Sequence, residues 1–173
     1  MSFYLTALAV VLLDQATKEW IVRHLGLGQN IPVIPGFFDI VFVFNPGAAF
    51  GILAGLPAGL RNPFFVLISL AAIVLIFVYR SRYLREKRLA SLALALILGG
   101  AIGNLIDRLR YAMVVDFLDV HYHTLHWPAF NVADSAISAG VGLMLVEMLV
   151  EMLVEWRAEA RRRAVTRTRR GGC

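Results

Sequence analysis

The sequence predicts a membrane-embedded bundle of four helices that carries a small antiparallel sheet on its outer face. Three observations predict it. First, 59% of the 173 residues are hydrophobic and 17% are charged, against about 45–50% and about 25% in ordinary soluble domains. A chain this short keeps too much surface in water to bury so large an apolar fraction in its own core. Second, the apolar residues gather in four stretches, 3–22, 63–79, 89–106 and 133–154, long enough or nearly so to cross a hydrocarbon layer about 30 Å thick. Third, the basic residues sit beside those stretches. Of the 17 Lys and Arg, five lie in one link (Arg80, Arg82, Arg85, Lys87, Arg88) and seven in the tail (Arg157, Arg161, Arg162, Arg163, Arg167, Arg169, Arg170). The positive-inside rule makes both segments cytoplasmic. An even number of spans then puts both termini inside and segments 25–62 and 107–132 outside. The net charge of +5 therefore reads as topology and lipid contact, not as a nucleic-acid surface.

The first stretch is interrupted by Asp14, Gln15, Lys18 and Glu19. No basic segment precedes it and no small-x-small cleavage site follows, so it is read as a retained span and not a leader. Asp14 and Lys18 are i, i+4, acid before base, and can supply one another with an ion pair. After it come Pro32, Pro35 and Gly36, the Phe- and Val-rich run 37–44, the turn Asn45-Pro46-Gly47 and a second apolar run, 48–53. Apolar β-formers on both sides of a turn predict a small antiparallel sheet, and its lack of polar residues predicts that it rests on the membrane. The second span reaches only about 26 Å at 1.5 Å per residue, so it is expected to borrow a turn from residues 60–62 or to sit with little tilt.

The third span ends Gly99-Gly100-Ala101-Ile102-Gly103-Asn104-Leu105-Ile106-Asp107-Arg108. The glycines permit close helix approach. Asp107 and Arg108 are neighbours in sequence and cannot face each other on a helix, so different partners are expected for each. The last span repeats Leu-Val-Glu three times, which sets Glu147, Glu151 and Glu155 on one face near the cytoplasmic link. No long-period repeat occurs. One membrane domain over 1–156 and a basic cytoplasmic tail over 157–173 follow. The lone cysteine, Cys173, excludes an internal disulfide framework and a cysteine metal cluster.

Each ionisable group in a span costs about 2.5–3.5 kcal/mol and needs a partner or a purpose. Asp116 stands in the apolar run Val114-Val115-Asp116-Phe117, and Asp134 stands where the last span begins, in Phe130-Asn131-Val132-Ala133-Asp134-Ser135. Structural roles account for both: an acid turned to water from an extended segment, and a first-turn acid behind the N-cap Asn131. The third span leaves the membrane near Asp107 and the fourth enters near Asp134, so Asp116 and Asp134 can also meet. There they would share one proton, as two carboxylates at close range must. The helix N-terminus favours charge on Asp134, and apolar neighbours favour the protonated form of Asp116. Other chemistries stay open. His121, His123 and His126 with an acid could hold zinc, Ser135 with Lys18 could form a hydrolase pair, and the buried polar groups could line a transporter or lipid-binding path.

Five blocks resemble one family when taken in order: Asp14-Gln15-Ala16-Thr17-Lys18, Asn45-Pro46-Gly47-Ala48-Ala49-Phe50-Gly51, Gly103-Asn104-Leu105-Ile106-Asp107-Arg108, Val114-Val115-Asp116-Phe117 and Phe130-Asn131-Val132-Ala133-Asp134-Ser135. The chain is similar to the lipoprotein signal peptidases, the type II signal peptidases of bacteria. The resemblance implies an aspartic endopeptidase of the inner membrane with four spans and an extracytoplasmic β-cradle. It would cut a diacylglyceryl-modified prolipoprotein before the lipidated Cys. It implies catalytic roles for Asp116 and Asp134, substrate contacts from Asn45, Gly47, Asn104, Arg108 and Asn131, and structural or functional roles for Asp14, Lys18 and Asp107. It also implies inhibition by globomycin, contact with membrane lipids, and no metal or cofactor. One departure stands out. The family usually has glycine just before Val114, where this chain reads Tyr111-Ala112-Met113, so Ala112 is expected to be strained if the position needs positive φ.

Overall fold

Residues 3–24 include neither glycine nor proline, and they form one helix, α1 (Phe3–His24), about 33 Å long at 1.5 Å per residue. Tyr4, Leu5, Leu8, Leu12 and Leu13 are exposed along it, whereas Asp14 and Lys18 are buried. The structure, a computed structural model, describes residues 3–47, 57–83 and 88–170. The apolar run 48–53, two basic residues of the link (Arg85 and Lys87) and Cys173 lie outside the described residues.

Two strands follow α1, β1 (Asn30–Ile34) and β2 (Phe38–Asn45), paired antiparallel. The hairpin therefore turns at residues 35–37, upstream of the Asn-Pro-Gly turn that the sequence suggests. The other partner of β2 is distant: β3 (Val114–Tyr122) pairs antiparallel with it, Asn45 opposite Val114 and Val43 opposite Asp116. With a short β4 (Leu125–His126), the order is β1-β2-β3-β4. Pro32 has no N–H to give to a ladder, which suits β1 to the sheet edge. β2 and β3 bring Phe42, Val115 and Phe117 against Ile21 and Leu25 of α1 and the turn after it, and β3 buries four residues in a row, Val114 to Phe117.

The remaining helices are α2 (Ala58–Tyr83), α3 (Arg88–Tyr111) and α4 (Val132–Arg170). α2 begins before Pro63, so the short second stretch does take its extra turn from upstream. α4 runs through residue 156 without a break, and the basic tail continues the helix to Arg170. Three segments, Gly59–Arg82, Arg88–Tyr111 and Val132–Glu159, are long and apolar enough to cross a membrane. α1 differs from them through its charges. α3 packs against α1, α2 and α4. It can do so because a Cβ at Gly100 would strike the backbone of Ala133, and one at Gly103 would strike the Asp14 carboxylate. At the end away from the sheet, Phe3, Ala7, Ile76, Leu94 and Leu98 form a dry core. Arg80 lies there with its guanidinium 4.0 Å from the Phe3 ring centroid and donates to Ser91 Oγ at 3.1 Å.

α3 ends in a left-handed cap. Ala112 has φ of 58° and donates its N–H to the Arg108 carbonyl at 3.1 Å. The expectation at this position holds: a residue with a Cβ occupies a conformation that costs about 1–2 kcal/mol and usually goes to glycine.

Candidate active site

At the sheet end of the bundle, three helices and two strands bring polar side chains into an apolar surround. Lys18 of α1 is 2% exposed and Asp14 is fully buried. They pair as expected, Nζ to Oδ2 at 2.9 Å. Lys18 has a second carboxylate, Asp107 Oδ2 on α3, also at 2.9 Å. Asp107 and Arg108 do diverge: Asp107 turns into the bundle, while the Arg108 guanidinium lies 5.4 Å from the Phe65 ring centroid on α2.

Asp116 is buried, not turned to water. Its Oδ2 accepts from Asn45 Nδ2 at 2.8 Å and its Oδ1 from Asn131 Nδ2 at 2.6 Å. The β2–β3 register explains the first bond, since Asn45 sits diagonally from Asp116 on the same sheet face. Asp134 is half-buried in the first turn of α4, and its Oδ1 accepts from Asn104 Nδ2 at 2.7 Å. Asn131 caps that turn, with its Oδ1 taking the Asp134 N–H at 2.9 Å. Capping and the carboxylate network are thus served by one side chain. Burial first and the charge of Asp134 second push the Asp116 carboxyl up to about 7, against the lowering bonds from Asn45 and Asn131.

Each asparagine amide is oriented by a donor on its oxygen. Gly47 N–H donates to Asn45 Oδ1 at 2.9 Å, and Lys18 Nζ donates to Asn104 Oδ1 at 2.9 Å. The NH2 groups are left to face the carboxylates. Gly47 has φ of 102°, and a Cβ there would overlap the Phe65 ring. A cavity of about 420 Å³ opens above this framework, lined by Asn45, Gly47, Asn104, Arg108 and Asp134 and walled by Trp127 and Phe130. Asn131 lies beneath it, fully buried.

The other expected groupings do not form. Ser135 Oγ donates to the Asn131 carbonyl at 2.9 Å, while Lys18 spends its protons elsewhere. His121 pairs with Asp39 and His126 with Asp119, and His123 sits in a positive-φ turn. Among the described residues, no three His, Cys, Asp or Glu side chains are arranged to share a metal ion. The sequence reading gave no role to Gln15, whose Nε2 donates to Asp107 Oδ1 at 3.0 Å and to the Gly103 carbonyl at 3.1 Å. A polar residue in a span beside Asp14 was the available signal. It also missed Ser138, which lines the cavity one helical turn after Asp134.

Comparison with known proteins agrees with this geometry. Residues 6–150 match the family described as signal peptidase (SPase) II. A lipoprotein signal peptidase of Syntrophotalea carbinolica is 54% identical over 142 residues, covering 82% of this chain and 87% of that protein. One from Geobacter sulfurreducens is 51% identical over 145 residues, covering 84% and 89%. A bacterial membrane enzyme solved by the in meso method superposes with a TM-score of 0.78 at 33% identity, over 87% of this chain and 88% of the other. Five blocks in order, a bundle with a small sheet, and identity of about half over most of the length lead to one assignment: the chain belongs to the signal peptidase II family.

Proposed function

We infer that this bacterial membrane peptidase removes the signal peptide from prolipoproteins, cutting before a diacylglyceryl-modified Cys by an aspartic mechanism with Asp116 and Asp134 as the dyad. The observation that carries the reading is a pair of carboxylates held by three oriented asparagine amides, Asp134 lining an open cavity and Asp116 buried behind the Asn45 that also lines it. Asp134 stands in the first turn of α4, where the helix dipole favours negative charge, and takes a proton from the attacking water. The proton on Asp116 hydrogen-bonds the scissile carbonyl oxygen. Collapse of the tetrahedral adduct delivers a proton to the leaving nitrogen and restores the singly protonated pair. Asn45, Gly47, Asn104 and Arg108 contact the substrate from the cavity wall, with Asn131 supporting from below, and globomycin would compete for the same space.

α1 is the fourth span in this reading. Its Asp14 and Lys18 face the bundle and its exposed leucines face lipid, so that pair is kept from hydrocarbon, while Glu19 pairs with Arg23 and Arg110. With the basic link and tail on the cytoplasmic side of the inner membrane, the sheet and the dyad are extracytoplasmic. A lipidated substrate offers its peptide bond at that interface while its acyl chains stay in the bilayer. Residues 1–156 form the peptidase domain and 157–173 its cytoplasmic extension.

The test is cleavage of a diacylglyceryl-modified prolipoprotein by the detergent-purified chain, with Asp116→Asn and Asp134→Asn in parallel and EDTA throughout. Cleavage by the parent before the lipidated Cys, with losses of about 1,000-fold or more in both folded variants, is expected. Near-parent rates in either variant reject the dyad, and loss of parent activity to EDTA rejects the metal-free mechanism.

A further inference from the structure

Lys18 does more than complete an ion pair. Its ammonium has three protons, and each has an acceptor at 2.9 Å: Asp14 Oδ2, Asp107 Oδ2 and Asn104 Oδ1. Each acceptor in turn holds a group at the dyad. Asp14 Oδ1 takes the N–H of Ala133, the residue before Asp134, at 2.9 Å. Asp107 Oδ2 takes the N–H of Val115, the residue before Asp116, at 3.0 Å. Asn104 Nδ2 donates to Asp134 Oδ1 itself. The orientation of Asn104 is chemically forced, because the flipped amide would set its NH2 against the ammonium and its oxygen against a carboxylate.

The arrangement is an expensive way to hold a bundle together. Two carboxylates on one buried ammonium leave the cluster negative, and apolar packing of similar volume is commonly as stable as a buried ion pair. It does deliver a fixed spacing. One cation ties α1 to α3, to the start of β3 and to the start of α4, at the backbone groups that immediately precede the two aspartates.

We propose that Lys18 is the positioning residue of the dyad, setting the relative placement of Asp116 and Asp134 through Asp107, Asp14 and Asn104. The proposal rests on the reading of those two aspartates as the reacting pair. Lys18→Gln, Asn104→Ala and the double variant are compared for kcat and KM on diacylglyceryl-modified prolipoprotein, each normalised to the folded fraction from thermal unfolding. Each single change is expected to lower kcat about 100-fold, the scale of a small misplacement of reacting groups, with KM within about twofold in Lys18→Gln, whose side chain does not line the cavity. The double variant is expected to fall by less than the product of the two single losses, because the two changes share the Lys18–Asn104 contact. If Lys18→Gln does not fold, Lys18→Gln with Asp107→Asn keeps the net charge of the cluster and an oxygen acceptor at position 107, and is compared with Asp107→Asn alone. Multiplicative losses in the double variant, or a parent-like kcat per folded molecule in Lys18→Gln, overturn the proposal and leave Lys18 as support for the fold. Asp116→Asn separates the two levels: retained cleavage there removes the dyad reading and this proposal with it, whereas cleavage lost there but kept in Lys18→Gln overturns the proposal alone.

Discussion

The two ends of β3 carry acids in different states of order. At the end beside α3 and α4, Asp116 receives an amide proton on each carboxylate oxygen, and the amides that supply them are themselves oriented through their oxygens. At the far end, Asp39, Asp119, His121 and His126 gather on the sheet. His121 Nε2 lies 3.3 Å from Asp39 Oδ2, His126 Nδ1 lies 3.0 Å from Asp119 Oδ2, and the two imidazoles stack with centroids 4.6 Å apart. There Asp39 Oδ1 and His121 Nε2 are buried without a well-formed hydrogen bond, and the His126 side chain is half exposed. The difference lies in what surrounds each end. The near end receives donors from helices and strands in several directions, whereas at the far end, among the described residues, the side-chain partners lie on the sheet strands. Titratable residues gathered in space make a reaction centre only where an outer set of groups fixes them.

The strongest way to break this comparison is Asn131→Ala. It removes the 2.6 Å bond to Asp116 and the cap on α4 together. A kcat loss of about 100- to 1,000-fold is expected, with about 1 kcal/mol of stability lost with the cap. Steady-state kinetics and thermal unfolding read the two effects separately, and a near-parent kcat would mean that the amide framework does not organise the site.

A smaller effect comes from pH. Because burial first and Asp134 second hold the Asp116 carboxyl at about 7, the proton that the proposed mechanism uses is on Asp116 below that pH and leaves above it. The rate constant for cleavage under saturating substrate should therefore fall as pH rises through about 7, approaching tenfold per unit. A flat profile from pH 6 to 9 would show that no such proton is used.

The smallest effect belongs to the far end. His126→Gln should leave kcat within about twofold and stability within about 0.5 kcal/mol, as for surface changes away from buried networks. A tenfold loss of kcat would place the histidine end in the reaction and erase the contrast.

Much of this framework was legible in sequence, and the reasons are local. The interruption of an apolar stretch by Asp14 and Lys18 at i, i+4 spacing announced a buried pair, and ion-pair spacing on a helix needs no distant information. Asn131 as an N-cap follows from its place before an apolar run, and the structure puts its Oδ1 on the Asp134 N–H. The strain at Ala112 came from the family resemblance, which has glycine before Val114, and not from local pattern; the structure gives Ala112 φ of 58°. The strand pairing was harder to read. The sequence suggested a sheet around Asn45-Pro46-Gly47, whose second run lies outside the described residues, and it gave no sign that β2 pairs with β3, residues some seventy positions away. Short strands reveal their apolar faces but not their partners, because pairing is settled by which surfaces the helices bring alongside. Gln15 was passed over for the same reason: its acceptors are on α3, 88 and 92 residues away.

The sequence by itself determined the solvent and the helices, since apolar fraction, stretch length and charge placement are properties of composition and local order. It also supplied the residue types at the site. Only the tertiary structure decided how they are wired. Lys18 reaches Asn104 across 86 residues and Asp14 reaches Ala133 across 119, and both contacts exist because α3 approaches α1 and α4 at glycines whose missing Cβ atoms leave room. Which amide faces which carboxylate depends on that close approach, and close approach is a property of packed surfaces that no stretch of one strand or helix contains.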